Sequence, residues 1–93
     1  MAFEKLEILK RRLRNYCNVN AFDLIALKAN LDAPGNAEIR DIFRAELEDA
    51  IASDVLPQAE YEKLTAEEFE DDAEYRDNLR GIHAYLFEGA PHP

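Results

Sequence analysis

Cys17 and His83 are the residues of this chain whose types suit a nucleophile and a general base. A catalytic thiol needs a pKa lowered by a neighbouring cation or a helix N-terminus, and Cys17 does follow a basic segment that ends at Arg14. A lone cysteine is nevertheless more often a small apolar filler. A lone histidine is more often a helix-end cation or a hydrogen-bonded ring. We therefore assign no catalytic residue and expect no enzyme.

The carboxylate-rich run over residues 71–78 has the density of a calcium-binding loop but not its spacing. Counted from Asp71, the sixth position is Arg76, where such a loop needs glycine. The chain has no Cys-x-x-Cys, His-x-x-x-His or Glu-x-x-His motif, and its three glycines are too scattered for a phosphate-binding loop. The sequence thus predicts no metal and no cofactor.

Charge is distributed unevenly over the 93 residues, whose net charge is −9. Residues 1–14 carry +3, whereas residues 36–93 carry −11. Such an acidic surface repels nucleic acid and attracts a basic protein. No apolar run approaches the roughly 18 residues that cross a bilayer, and the first residues lack the basic-then-apolar order of a secretory signal. With one cysteine, the chain is expected to be cytoplasmic and not bound to a membrane.

The first two helices are predicted from the spacing of apolar residues. Residues 3–16 repeat apolar side chains at gaps of three and four, which is one face of a helix. Asn20 is a suitable N-cap for a second helix over residues 21–31, with Asp23 at its third position. The second helix is apolar on nearly every side, which predicts a central place in a bundle.

The third helix is predicted over residues 37–53, after a loop over residues 32–36 that contains both proline and glycine. One face of this helix is apolar and the opposite face is charged. Pro57 either ends the third helix or begins a short fourth one, because proline suits the first turn. Tyr61 and Leu64 are the expected anchors of that short helix.

The fifth helix is predicted to begin at Thr65, because Thr65 and Glu68 match a capping box. Gly89 suits the C-terminal cap of this helix. Gly81 lies in the interior, where glycine costs about 1 kcal/mol relative to alanine. Gly81 therefore marks either a bend or a close helix crossing.

The periodicity as a whole predicts an all-α fold, a compact bundle of four to five short helices. Residues 1–89 are expected to form a single helical domain, and residues 90–93 a flexible C-terminal tail. The predicted core contains apolar residues from the second, third and fifth helices, namely Ile25, Ile42, Phe43, Leu47 and Leu79.

The densest acidic stretch, residues 60–77, holds nine carboxylates against two cations. A charge run of this kind is usually a solvated helix face. The alternative is a docking surface on which carboxylates steer a basic protein and aromatic residues anchor it. If a continuous helix starts at Thr65, carboxylates at gaps of three and four share one face. The predicted partner-binding residues are Glu67, Glu70, Asp71, Glu74, Tyr75 and Asp77.

Three functional hypotheses follow from these observations. The first is an acidic inhibitor, antitoxin or immunity-type protein that caps a basic partner such as a nuclease. The second is a helical adaptor or self-associating module, a homo-oligomer held by its oppositely charged ends, with the basic face around Arg11, Arg12 and Arg14 as one contact. The third is an enzyme that uses Cys17 or clustered carboxylates, and it ranks last because no motif supports it.

Overall fold

Five helices make up the regular structure of the residues described by a computed structural model, 6–20 and 22–93, and these residues contain no strand. The predicted all-α bundle is therefore confirmed. The helices in chain order are α1 Glu7–Tyr16, α2 Leu24–Asp32, α3 Ala37–Ala52, α4 Gln58–Thr65 and α5 Asp72–Phe87. Phe3, the first apolar residue of the predicted helix one, lies outside the described residues.

α1 and α3 form the centre of the bundle, because each packs against three helices. α1 contacts α2, α3 and α4, and α3 contacts α1, α2 and α5. The prediction that the second helix is central is wrong. α2 buries only positions at gaps of three and four against its neighbours, namely Leu24, Leu27 and Leu31. Its remaining apolar residues face outward, since a nine-residue helix with neighbours on one side has no second surface to cover them.

The core draws on every helix, and it includes three of the five residues predicted to be buried. Phe43, Leu47 and Leu79 are fully buried, as expected. Ile25 and Ile42 were expected in the core, but they are 67% and 41% exposed. The core stripe of α3 runs through Phe43, Leu47 and Ala50, so the neighbouring Ile42 falls at its edge.

Helix starts differ from the sequence prediction where a nearby aspartate outcompetes the expected cap. Asp23, and not Asn20, caps α2, because its Oδ1 accepts the backbone N–H of Ala26 at 2.9 Å. Asn36 precedes α3 as predicted, yet its side-chain amide donates to Asn30 O at 2.7 Å, at the end of α2. Asn36 therefore closes the loop between the two helices.

Three helix ends are capped by charged side chains from other helices. Glu46 of α3 accepts the N–H of Leu9 at 3.0 Å, in the first turn of α1. Lys28 of α2 donates to Tyr85 O at 3.3 Å, in the last turn of α5. An anion thus meets a helix N-terminus and a cation meets a C-terminus, which is the arrangement that the helix dipole favours.

Arg76 of α5 makes the most extensive of these contacts, at the C-terminal end of α3. Its Nη1 donates to the carbonyl oxygens of Ala50, Ile51 and Ser53 at 3.1–3.3 Å. Asp54 and Asp72 accept its other N–H groups at 3.2 and 2.8 Å. The planar guanidinium thus satisfies carbonyls that a helix end leaves unpaired, and it joins α3 to α5.

The chain end turns back along α5. Gly89 has a φ of +74°, directly after the C-cap residue Glu88, as expected of a helix-ending glycine. Gly81 does not mark a close helix crossing, because no atom of another helix lies within 4 Å of where its Cβ would be. An added Cβ there would lie 3.4 Å from Pro93 Cβ, at ordinary van der Waals contact with the end of the chain. The flexibility of residues 90–93 stays a prediction.

The Arg76 contacts predict a specific loss of stability. Replacing Arg76 by Ala removes the donors to three carbonyls, and replacing it by Lys removes the planar fork but keeps the charge. We expect the thermal midpoint to fall most for Arg76→Ala and less for Arg76→Lys. Arg80→Ala is the matched control, because among the described residues Arg80 forms an ion pair only with Asp77, at 2.9 Å, and its side chain is 56% exposed. Equal midpoints for Arg76→Ala and Arg80→Ala in thermal unfolding would contradict this role.

Adjacent residues of α3 provide a second test. Phe43→Ala should lower the free energy of unfolding by ~3–5 kcal/mol, because it empties a fully buried site. Ile42→Ala, one position earlier, should cost about 1 kcal/mol or less, because that side chain is 41% exposed. Urea denaturation of both variants measures the difference. A similar loss at both positions would mean that the face of α3 is assigned incorrectly.

Candidate functional site

The acidic segment, residues 66–77, comprises the loop after α4 and the first turns of α5. It holds seven carboxylates and one cation, Arg76. Most of the carboxylate residues are exposed, and Glu67 is half-buried. The acidic residues of the segment are Glu67, Glu68, Glu70, Asp71, Asp72, Glu74 and Asp77.

The predicted continuous helix from Thr65 is wrong. Thr65 is the last residue of α4, its hydroxyl donates to Tyr61 O at 3.0 Å, and it does not cap a following helix. Ala66 then takes a left-handed conformation with φ +63°. α5 begins only at Asp72, and Asp71 caps it by accepting the N–H of Glu74 at 2.9 Å. The five carboxylates predicted to share one helical face are therefore divided between a loop, a cap and a helix.

The loop part of the acidic segment is held by two polar side chains of α4. Glu62 Oε2 accepts the N–H of Phe69 at 2.9 Å, and Gln58 donates to Phe69 O at 3.0 Å. Gln58 also donates to Glu62 at 3.2 Å. Both backbone groups of Phe69 are thereby bonded to α4, so the loop is fixed by α4 and not by helical hydrogen bonds of its own.

Three aromatic rings pack together beneath the segment, where the helix is interrupted. The rings of Tyr61, Phe69 and Tyr75 lie 5.2–5.7 Å apart by centroid, within the range of favourable aromatic pairs. Tyr75 is fully buried, and its hydroxyl donates to Leu56 O at 2.5 Å. Tyr75 was predicted to contact a partner. Its burial contradicts that role, because the ring is already packed inside the domain.

Arg76 is the residue whose role the sequence did not reveal. Spacing within α5 indicates only a cation C-terminal to carboxylates, whereas the side chain reaches α3, at least 22 residues earlier in the chain. With 18% of its side chain exposed, Arg76 lies mostly covered against the end of α3. The acidic segment therefore has no outward-facing cation of its own, which makes its outer surface carboxylate-rich.

The carboxylates of the segment differ in whether they form ion pairs within the protein. Asp72 pairs with Arg76 at 2.8 Å, and Asp77 pairs with Arg80 at 2.9 Å. Glu68 and Glu70 are exposed, and neither forms an ion pair with another described residue. These two carboxylates are the part of the segment that is free to meet an outside cation.

His83 lies between two carboxylates and does not face a thiol. Its Nε2 is 2.8 Å from Glu48 Oε2, and its Nδ1 is 2.5 Å from Glu88 Oε2. The imidazole donates to both only when it is protonated, because a neutral ring has a single N–H. The hydrogen bond from His83, together with Arg44, holds the pKa of Glu48 below its usual range. The contacts tie α3 to the end of α5, and they occupy both nitrogens that a general base would need.

Cys17 is a fully buried member of the core. Burial, with a smaller effect from the nearby charge of Glu67, raises the pKa of its thiol to about 12. The thiol is therefore protonated at neutral pH, which is the opposite of what nucleophilic catalysis requires. These observations favour the interpretation of Cys17 as an apolar filler.

The buried environment of Cys17 predicts that its thiol is alkylated slowly in the folded protein. At about pH 8, iodoacetamide should alkylate the folded protein at least a thousandfold more slowly than the denatured protein, since about three and a half pKa units separate the two thiols. Mass spectrometry after timed quenching measures both rates, with free glutathione as the reference thiol. Comparable rates in the folded and denatured protein would refute the buried, protonated assignment.

The basic face of α1 is partly neutralised within the molecule. Lys10 Nζ lies 2.6 Å from Glu60 Oε1 of α4, and Arg11 pairs with Glu7 at 3.5 Å. Arg14 is exposed and Arg12 is half-buried. A hollow of about 140 Å³ on this face is lined by Glu7, Lys10, Arg11 and Arg14. The cations of α1 thus serve in part to dock α4.

Searches for other kinds of site give negative findings over the described part of the chain. No group of three or more histidine, cysteine, aspartate or glutamate side chains there is arranged to hold a metal ion. None of the described helices has the length and apolar character needed to cross a bilayer. No protein family, curated protein or solved structure matches the chain.

Proposed function

We propose that this protein is a non-enzymatic acidic domain that binds a basic protein partner. The observation that carries the proposal is the asymmetry of the acidic segment, which directs its carboxylates outward and its single cation, Arg76, toward the end of α3. A surface of this kind attracts cationic proteins over distances of about a Debye length. It repels nucleic acid, so the partner is a protein and not a polynucleotide.

The class of partner follows from the phosphate groups whose place a carboxylate cluster can take on a basic protein surface. A nuclease presents a basic surface that binds phosphates, and fixed carboxylates offer it a competing anion. We therefore propose an inhibitor, antitoxin or immunity-type role in the cytoplasm, in which the acidic segment covers such a basic surface. Glu68 and Glu70 are the central contacts, because they are exposed and form no ion pair with a described residue.

A second candidate, self-association, is favoured by a different observation. Ile25 on the outer face of α2 is 67% exposed, and Phe22 just before that helix is 39% exposed. Exposed apolar patches are typical of contact surfaces, and these two residues are three positions apart in the chain. A complex of this kind is held by apolar burial and is insensitive to salt, whereas a carboxylate-steered complex weakens as ionic strength rises.

The test compares two charge reversals of equal size on different surfaces. Glu68→Lys with Glu70→Lys alters the acidic segment, and Asp41→Lys with Asp49→Lys alters exposed positions of α3. Each immobilised protein is used to capture proteins from its host at low and moderate salt, and the affinity of the captured partner is then measured. We expect the wild type and the α3 variant to retain a basic partner, and the acidic-segment variant to lose it.

The controls separate loss of binding from loss of folding. Circular dichroism must show the same helix content for both variants, and the wild-type affinity must fall as salt rises. Equal capture by the two variants, or a main partner that is itself acidic, would refute the proposed surface. Light scattering of Ile25→Lys addresses the second candidate, since a dimer that persists in this variant is not held through α2.

A further inference from the structure

His83 joins α3 to the C-terminal end of α5. Its Nε2 lies 2.8 Å from Glu48 Oε2 of α3, and its Nδ1 lies 2.5 Å from Oε2 of Glu88, the C-cap residue of α5. The side chain of His83 is 11% exposed, whereas those of Glu48 and Glu88 are 49% and 56% exposed. A covered ring therefore bridges two carboxylates that border the solvent.

The protonation state of the ring decides how many of these contacts are hydrogen bonds. A protonated imidazole donates to both carboxylates, but a neutral ring has one N–H and presents a lone pair to the other carboxylate. Glu48 Oε2 also accepts from Arg44 Nε at 3.1 Å, whereas among the described residues the Glu88 carboxylate has no donor besides His83. With a single ring N–H, each carboxylate keeps a donor only if the ring donates to Glu88. The contact that is lost is therefore the one to Glu48.

We propose that His83 is a pH-dependent tie between α3 and α5, which joins Glu48 to Glu88 when the ring is protonated and releases Glu48 when the ring is neutral. Imidazole is the side chain that changes charge between about pH 5 and 8, so the tie responds to pH within the physiological range. It is separate from the acidic segment and does not depend on the basic partner proposed above.

The groups around the ring confine the change to the end of α5. α3 is the helix that packs most extensively against α5, and its charged groups at this junction are Glu48, Arg44 and Arg40. Phe87 packs against the His83 ring at 5.3 Å by centroid, beneath the two guanidinium groups, and against core Phe43 at 6.1 Å. The ring-to-ring contacts of Phe87 do not titrate. Loss of the Glu48 contact therefore loosens the junction without unfolding α5.

The carboxylate of Glu48 sets the lower pH limit of the tie. Hydrogen bonds from His83 and Arg44 hold the pKa of Glu48 below its usual range. Glu48 is therefore still ionised at about pH 5.5, and its contribution is lost only as the pH falls through this lowered pKa. At the upper limit, the contact is lost as the pH rises and the ring gives up its proton. A comparison of about pH 5.5 with about pH 8 consequently tests the ring and not the carboxylate.

The direct test is nuclear magnetic resonance of the ¹⁵N-labelled full-length protein at about pH 5.5 and about pH 8. We expect both ring nitrogens of His83 to carry protons at the lower pH, and only Nδ1, which faces Glu88, to carry one at the higher pH. The backbone amide signal of Glu48 should move with the same titration. His83→Gln should abolish this movement, whereas the matched control His92→Gln, at the exposed second histidine, should leave it unchanged.

Paired substitutions measure what the tie contributes at each pH. Glu48→Gln and Glu88→Gln each remove one charge and keep the size of the side chain. We expect Glu48→Gln to lower the thermal midpoint, relative to the wild type, about twofold more at the lower pH, because hydrogen bonds between charged groups are the stronger ones. Glu88→Gln should lower the midpoint at both pH values, because the ring donates to Glu88 in either state.

Several results would overturn the proposal. Unchanged protonation of the ring between the two pH values, or a Glu48 signal that moves equally in His83→Gln, removes the tie. A neutral ring that carries its proton on Nε2 shows that Glu48 is not the released carboxylate. An equal effect of Glu48→Gln at both pH values shows that this contact does not respond to the ring. The ring-nitrogen measurement needs only the wild-type protein, so it decides the question even if a variant does not fold.

Discussion

The contact between Arg76 and the C-terminal end of α3 is the interaction on which most of this fold depends. α3 is one of the two central helices, and Arg76 donates to carbonyl groups at its C-terminal end that have no intrahelical donor. A side chain with several N–H groups in one plane can satisfy three carbonyls and two carboxylates at once, which no lysine can do. The same contact withdraws a cation from the acidic surface, so one structural requirement also sets the outer electrostatics.

The other interhelical caps follow the same principle. Glu46 meets the start of α1 and Lys28 meets the end of α5, so the helices are joined by charge–dipole contacts as well as by apolar packing. A domain of this size has a small hydrophobic core, which limits its stability. Each helix end whose backbone groups are hydrogen-bonded avoids the free-energy cost of an unpaired group. Charges used in this way are unavailable to a partner, which distinguishes Glu46 from the exposed Glu68 and Glu70.

The aromatic cluster has a comparable double effect on the acidic segment. The chain leaves the helical path after Thr65, and half-buried Phe69 of the following loop packs against Tyr61 and Tyr75. The resulting loop separates the carboxylates that a continuous helix would have placed in one row. The repulsion expected between neighbours three and four residues apart is thereby reduced, and the negative surface becomes broader than a single stripe.

The sequence by itself determined the helical class, the bounds of the third helix to within one residue, and the residues on the clearest apolar stripes, such as Phe43 and Leu47. These properties depend on local spacing and on residue propensity, which the chain carries wherever it lies. The sequence also gives the net negative charge and the density of carboxylates that suggested a docking surface.

Only the tertiary structure decided which apolar face of α2 is covered, where the fifth helix begins and which aromatic residues are hidden. Ile25 is exposed because no helix packs on its side, and Tyr75 is buried because α4 and the following loop close over it. The three carbonyl groups that Arg76 binds belong to residues more than 20 positions earlier in the chain, which local spacing cannot reveal. Local periodicity records which residues share a helical face, but burial and capping depend on contacts between segments that are distant in sequence.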